Sequence, residues 1–127
     1  HITLAYFEQK STVDYIGVVQ GIPVCFDAKE CHADTFPLAN IHEHQMKFME
    51  EFEGQEGVAF LLIYYAGRDE FYYMSLRELK VFWERRQTGG RKSFRYEELK
   101  PEGFLPRRSG VLVPYLDGIQ RDLASRD

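Results

Sequence analysis

The sequence predicts an α/β domain in which helices pack on a mixed β-sheet of about five strands. Residues 11–30 contain two β-branched, apolar runs that flank Gln20-Gly21, which is typical of a hairpin with a two-residue turn. Residues 58–66 are nearly all apolar, as in a strand buried on both faces. Two segments with helical periodicity, 41–52 and 76–87, supply the helical layer.

Composition indicates one globular domain, residues 1–127. Of the 127 residues, 44% are hydrophobic and 15% are aromatic, which is enough for a moderate core. The longest apolar run is too short to span a bilayer, and the start of the chain lacks the features of a signal peptide. We therefore expect a soluble, cytoplasmic protein without a membrane partner. Because the net charge is -4, any phosphate contact depends on local basic patches.

The first hairpin places two acidic side chains opposite each other. Residues 2–7 form a short strand that leads into it. With the turn at 20–21, Asp14 pairs with Asp27 at a non-hydrogen-bonded position, where Cα atoms are about 4.5 Å apart. Both side chains lie on one face, because side-chain direction alternates along a strand. Like charges placed in this way destabilise a sheet.

A cation between the two carboxylates would explain why the chain keeps them. Carboxylate oxygens are the ligands that a hard ion such as Mg²⁺ prefers. Lys29 lies one pleat further along the same face as Asp27 and points towards the same place. A solvated hairpin face with scattered charges explains these residues at least as well, and a three-residue turn would break the pairing.

The first helix carries a polar residue on its apolar face. We expect it to run from residue 41 to about residue 52, with Asn40 and Glu43 as a capping box. Its apolar stripe consists of Ile41, Phe48, Met49 and Phe52. Gln45 completes the periodic pattern. A buried amide needs hydrogen-bond partners, and the simplest role for Gln45 is to tie the helix to a neighbouring backbone.

The later elements follow from turn and capping patterns. Residues 67–70 turn the chain into a second hairpin. Ser75 with Glu78 forms a capping box that opens a helix, and a Gly-Gly pair ends it. Its core stripe is Leu76, Leu79, Phe82 and Trp83. A strand at 111–113 and a helix that begins at Pro114 complete the domain.

The segments around the paired acids resemble a nuclease family. Asp14, followed by Asp27-Ala28-Lys29 on the next strand, is similar to the PD-(D/E)XK pattern. The runs AYFEQKSTVDYIGVVQGIPVCFDAKE, FPLANIHEHQMKFM and GGRKSF resemble, in order and approximate spacing, the RecU family of Holliday junction resolvases. The resemblance extends from about residue 5 through the last helix, but it covers only the later part of the family. It implies a restriction-endonuclease-like core.

This resemblance implies a metal-dependent endonuclease that resolves Holliday junctions by paired symmetric nicks during recombination and repair. It implies Asp14, Asp27 and Lys29 as catalytic residues. The metal environment that it implies consists of Thr12, Asp14, Asp27 and Gln45, with the backbone carbonyl of Ala28 as a further oxygen ligand. The expected cofactor is Mg²⁺, with Mn²⁺ as a substitute.

Two departures from the family pattern lie near the acids. Val13 stands where relatives often have a second threonine, and the triplet opens with Asp27 rather than the commoner glutamate. Both changes leave two carboxylates. We also expect the chain to lack the family's N-terminal helix and most of its stalk, and therefore to bind a metal yet cut poorly.

The strongest basic cluster surrounds the end of the second helix. It consists of Arg85, Arg86, Arg91, Lys92 and Arg95. Such runs are usually a solvated surface, but the likeness of GGRKS to the family motif favours contact with DNA phosphates, to which arginine can donate two hydrogen bonds at once. The implied partners are four-way junction DNA, a second copy in a homodimer, and recombinase or branch-migration proteins.

Cysteine and histidine could suggest a different metal. Cys25 and Cys31 on one extended strand lie about 20 Å apart, so we expect two free thiols. His42 and His44, two residues apart on a helix, are expected to point in different directions. Because no second close pair of ligands completes a tetrahedral zinc site, we interpret these histidines and His32 as exposed polar or DNA-facing residues.

Two alternative functions stay open. One is a related nuclease of the same fold that acts on other DNA structures. The other is a DNA-binding or partner-binding module whose catalytic site has lapsed. The intact pair of acids and Lys29 argue against a lapsed site, whereas the acidic net charge and the expected loss of the N-terminal helix argue for it.

Overall fold

The computed structural model describes residues 13–106 and 115–126. In chain order, the strands are β1 (Tyr15–Val19), β2 (Ile22–Cys31), β3 (Thr35–Pro37), β4 (Val58–Tyr65), β5 (Glu70–Ser75) and β6 (Ser93–Arg95). The helices are α1 (Glu43–Gly54), α2 (Leu76–Gln87) and α3 (Tyr115–Ala124). Within these residues, no helix has the length and apolar character needed to cross a bilayer.

The main sheet is mixed, as predicted. Its four described strands lie in the order β1-β2-β4-β5. β1 and β2 pair antiparallel, β2 and β4 pair parallel, and β4 and β5 pair antiparallel. The parallel pair requires a crossover, which α1 supplies. The expected strands at 2–7 and 111–113 lie outside the described residues. The α/β class and the helix-flanked mixed sheet are confirmed and are consistent with a restriction-endonuclease-like core.

The β1–β2 hairpin has the predicted turn and register. Val19 pairs with Ile22 across the turn. Gln20 and Gly21 have φ values of 50° and 85°. Two consecutive positive φ angles define a type I′ turn, whose twist matches that of the flanking strands. Glycine adopts this conformation without the steric cost that other residues incur.

A second, two-stranded sheet was not predicted. Thr35–Pro37 pairs antiparallel with Ser93–Arg95. Phe36 lies opposite Phe94, both rings are fully buried, and their centroids are 4.9 Å apart. Burial of this aromatic pair explains the sheet, because three-residue strands contribute few backbone hydrogen bonds of their own.

Both faces of the main sheet are covered. On one face, α1 and α2 pack against β4 and β5. The helical residues buried there include Met46, Met49, Leu76, Leu79, Phe82 and Trp83. On the other face, Ile119 of α3 packs against Val24, Phe60 and Tyr73. β4 is buried along nearly its whole length, which confirms the central strand predicted at residues 58–66.

A row of aromatic rings crosses the face beneath α3. The centroids of Tyr15 and Phe26 are 5.1 Å apart, those of Phe26 and Phe60 are 5.0 Å apart, and those of Phe60 and Tyr73 are 4.1 Å apart. Each ring comes from a different strand. A Cβ at Gly118 of α3 would lie 2.4 Å from the Tyr73 ring, so the helix backbone lies directly on the Tyr73 end of this row.

The predicted start of α2 is confirmed, whereas that of α1 is wrong. Ser75 accepts a hydrogen bond from the backbone N–H of Glu78 at 3.2 Å. In contrast, Asn40 does not cap α1, because a 3₁₀ turn at Leu38–Asn40 precedes it and His42 is the N-cap residue. The helix therefore begins two residues later than the periodicity indicated.

We expect Ser75→Ala to destabilise the domain by about 1 kcal/mol, because the first turn of α2 loses the acceptor for one of its free N–H groups. Urea denaturation followed by circular dichroism measures the change. Ser75→Asp is the matched control, since aspartate also caps helices, and it should retain most of the stability. An equal loss in both variants would contradict the capping role.

Candidate active site

The two acids lie side by side at the end of the first hairpin. The β1–β2 ladder ends at the Tyr15–Phe26 pair. At the next position the Asp14 N–H donates to Asp27 Oδ1 at 3.0 Å, and the Ala28 N–H donates to Asp14 Oδ2 at 2.8 Å. Each carboxylate thus accepts a backbone hydrogen bond from the neighbouring strand. The predicted register therefore brings the two acids together, although side chains replace the backbone pairing there.

Lys29 joins the two acids on the same face of the sheet. Its Nζ lies 2.9 Å from Asp27 Oδ2. The Asp27 side chain is 4% exposed and that of Lys29 is 18% exposed, so the ion pair is largely shielded from solvent. Side chains two residues apart on a strand project to one side, which explains the contact. The three groups named from the sequence form one cluster.

Gln45 connects this cluster to α1. Its Nε2 donates to Asp27 Oδ2 at 3.2 Å, and its Oε1 accepts from Lys29 Nζ at 3.4 Å. Oε1 also accepts from the backbone N–H of His42 at 3.1 Å. Because a backbone N–H can only donate, this last bond sets the orientation of the amide. The expected buried amide with hydrogen-bond partners is confirmed.

The cluster has an unbalanced negative charge. Burial raises the pKa of Asp27, the ammonium of Lys29 opposes this effect, and the charge of Asp14 adds to it. One ammonium therefore faces two carboxylates. A further cation at this point would favour the ionised form of Asp27.

The oxygen atoms of the cluster fit a hard divalent cation. Asp14 is exposed, and its Oδ1 accepts no hydrogen bond from any described residue. Mg²⁺ is usually bound through one or two carboxylates and keeps several water molecules. Within residues 13–106 and 115–126, no three His, Cys, Asp or Glu side chains cluster in the way a fully protein-ligated metal requires. Thr12 lies outside the described residues.

The histidines next to the cluster do not lie as predicted. The rings of His42 and His44 stack with centroids 5.4 Å apart and an interplanar angle of 6°. Helical spacing does not apply to this pair, because His42 precedes the helix with extended backbone angles of φ -79° and ψ 152°. Both residues are exposed.

The expected free thiols at Cys25 and Cys31 are confirmed, and both are buried.

Some residues of the basic cluster contact other side chains of the protein, and the others are exposed. Arg91, Lys92 and Arg95 are exposed. Arg86 stacks on Trp83, with its guanidinium carbon 4.0 Å from the ring centroid. Arg85 forms an ion pair with Glu98, with 2.7 Å between Nη1 and Oε1. Glu98 was not predicted from the sequence, because an ion-pair partner on a separate segment leaves no local periodicity.

Comparison with known families agrees with this arrangement. The model of the family described as "RecU: Recombination protein U" matches residues 1–121. The chain belongs to the RecU family. The resemblance expected from the segments around Asp14 and Asp27 is therefore confirmed.

Curated relatives of this RecU-family chain bear the name "Holliday junction resolvase RecU". The protein from Oceanobacillus iheyensis is 40% identical over 122 residues, covering 94% of this chain and 62% of the relative. That from Bacillus cereus is 44% identical over 102 residues, covering 80% and 51%. That from Levilactobacillus brevis is 39% identical over 122 residues, covering 94% and 61%. The chain thus spans between about half and three fifths of these relatives' length.

We expect Gln45→Met to destabilise the domain by about 1–3 kcal/mol, because the buried Asp27 carboxylate loses a hydrogen-bond donor and the His42 N–H loses its acceptor. Lys47→Met places the same side chain at an exposed position of α1 and should change the free energy of unfolding by less than about 0.5 kcal/mol. Urea denaturation of both variants measures the difference. Equal effects would show that the Gln45 bonds contribute nothing to stability.

Proposed function

We propose that this RecU-family chain is a metal-dependent DNA endonuclease that resolves Holliday junctions by paired symmetric nicks. The observation that carries the proposal is the cluster of Asp14, Asp27 and Lys29, in which two carboxylates and an amine share one face of the sheet. The names of the relatives support the junction as substrate. Because the chain spans only part of their length, the activity of the whole protein is part of the proposal.

Asp14 and Asp27 hold Mg²⁺, or Mn²⁺ in its place, through their carboxylate oxygens. Thr12 and Gln45 complete the metal environment, Gln45 through its hydrogen bond to Asp27. When bound, the ion polarises the scissile phosphate and lowers the pKa of a water molecule.

Lys29 contributes through its ammonium group. Its ion pair with Asp27 and its hydrogen bond to Gln45 hold Nζ beside the acids. From there it orients the attacking water or neutralises charge that builds up on the phosphate. A salt bridge and a catalytic role are compatible for this residue, because an ammonium group has three protons to donate.

DNA contact is assigned to the basic cluster at the end of α2. The exposed cations Arg91, Lys92 and Arg95 face the phosphates, and Arg85 and Arg86 belong to the same surface. The net charge of -4 disfavours binding to nucleic acid, but this local patch is positively charged and can contact phosphates.

A homodimer in the cytoplasm completes the proposal. Symmetric nicking of a four-way junction needs two matched sites, and a two-fold axis supplies them. Recombinase and branch-migration proteins are the further partners that we propose.

We expect Asp14→Asn and Asp27→Asn each to reduce Mg²⁺-dependent junction cleavage by about a hundredfold or more, the scale of removing one group that stabilises the transition state. Junction binding should persist or improve, since repulsion of phosphate falls. Asp69→Asn, which removes the same charge at the exposed β4–β5 turn, should cleave normally.

The same assay compares a four-way junction with a linear duplex of identical sequence. Preferential cleavage of the junction supports the proposal. Equal cleavage of both substrates would indicate a nuclease with another DNA target. Binding without any metal-dependent cleavage would indicate a lapsed site.

We expect Arg91→Ala to weaken junction binding and to reduce the slope of log affinity against log salt by about 1, because one phosphate contact is lost. Fluorescence anisotropy at several salt concentrations measures the slope. Arg77→Ala removes an exposed arginine from the other end of α2 and should leave the slope unchanged. An unaltered slope in Arg91→Ala would show that Arg91 makes no phosphate contact and would contradict the assignment of this loop to the DNA surface.

A further inference from the structure

The guanidinium of Arg85 is held by the chain itself. Its Nη1 donates to Glu98 Oε1 at 2.7 Å, and its Nη2 lies 3.3 Å from Glu98 Oε2. Nη2 also donates to the carbonyl of Ser93 at 2.8 Å. Only 33% of the Arg85 side chain and 28% of the Glu98 side chain are exposed. These contacts use three of the five guanidinium N–H groups, and the Nε atom is buried away from solvent.

The same pair of residues fixes both ends of the segment 90–95. At one end, the Gly90 N–H donates to the Arg85 carbonyl at 2.7 Å. At the other end, the Arg95 N–H donates to Glu98 Oε2 at 3.0 Å. A Cβ at Gly90 would lie 2.7 Å from the Arg85 carbonyl oxygen, so only glycine permits this approach without a shift of the chain.

Buried aromatic side chains lie beneath this segment. Phe94 is fully buried, with centroid distances of 4.9 Å to Phe36 and 4.8 Å to Phe82. The Lys92 carbonyl accepts a hydrogen bond from the Leu38 N–H at 3.0 Å. The backbone of the segment is thus held while its cationic side chains remain exposed.

We propose that Arg85 and Glu98 form a brace that positions the loop 90–95 for contact with DNA phosphates. Glu98 is then a positioning residue, and an acidic side chain strengthens binding to a polyanion. This inference rests on the proposed function in one respect, namely that DNA is the ligand of the loop. The hydrogen bonds from Arg85 lower the pKa of Glu98, which favours its charged form.

The physical reason is pre-organisation. A loop that is already ordered loses less conformational entropy on binding than one that must be ordered by its ligand. Simple electrostatics predicts the opposite effect for Glu98, because removal of a negative charge near a phosphate surface ordinarily favours binding. The sign of the change therefore discriminates between the two explanations.

The test compares Glu98→Gln with Glu97→Gln in binding to a four-way junction, measured by fluorescence anisotropy with Ca²⁺ in place of Mg²⁺. The two variants remove the same charge from adjacent positions, and Glu97 is exposed. We expect Glu98→Gln to weaken binding by about threefold to tenfold, and Glu97→Gln to leave it unchanged or tighter. Tighter or unchanged binding by Glu98→Gln would overturn the brace.

Arg85→Lys provides a second variant that keeps the charge. Lysine cannot reproduce the planar, two-nitrogen contact with Glu98 and Ser93, so we expect a similar loss of affinity. Full affinity in Arg85→Lys would instead indicate that only the positive charge matters and would overturn the proposal.

Hydrogen exchange of the free chain tests the brace without DNA. In Glu98→Gln, exchange should accelerate across 90–95 while the amides of residues 79–84 in α2 keep their protection. Unchanged exchange in the loop, or an equal rise across α2, would overturn a local role for Glu98. If the unsubstituted chain does not bind a junction, the proposed function fails. The hydrogen-exchange comparison still decides whether Arg85 and Glu98 hold the loop.

Discussion

The buried carboxylate of Asp27 is the constraint on which the site depends. It is 3% exposed, and a charge so placed destabilises a fold unless it is paired and hydrogen-bonded. Its partners come from three places: the backbone of Asp14 directly before β1, Lys29 on β2 itself and Gln45 on α1. The hairpin register and the docking of α1 must both be correct for the carboxylate to be satisfied. One side chain therefore couples the local geometry of the hairpin to the crossover helix.

The small β3–β6 sheet links the acidic site to the basic loop. β3 leads, through the 3₁₀ turn, into the helix that carries Gln45, and β6 forms the last part of the loop 90–95. Stacking of Phe36 on Phe94 buries the contact between these two segments. Two regions that are far apart in the chain, the proposed metal site and the proposed phosphate-contacting loop, are thereby held on a common support.

Local chemistry explains which elements could be predicted. The turn at Gln20-Gly21, the burial of β4 and the cap at Ser75 each depend on residues within a few positions of one another. The pairing of Asp14 with Asp27 followed from the same local count, because strand alternation has a fixed period. The predicted start of α1 was wrong, because Asn40 has the side chain of an N-cap residue but forms part of a 3₁₀ turn that precedes the helix.

The fold class, the hairpin register and the proximity of Asp14, Asp27 and Lys29 could be worked out from residue order, because turns and strand alternation are short-range effects. Four features required the folded chain: the orientation of Gln45, the stacking of His42 on His44, the β3–β6 pairing and the ion pair between Arg85 and Glu98. Most of these contacts join segments that are distant in the chain, and His42 and His44 adopt their geometry at a helix boundary. Their energies depend on what lies nearby in space, which residue spacing does not encode.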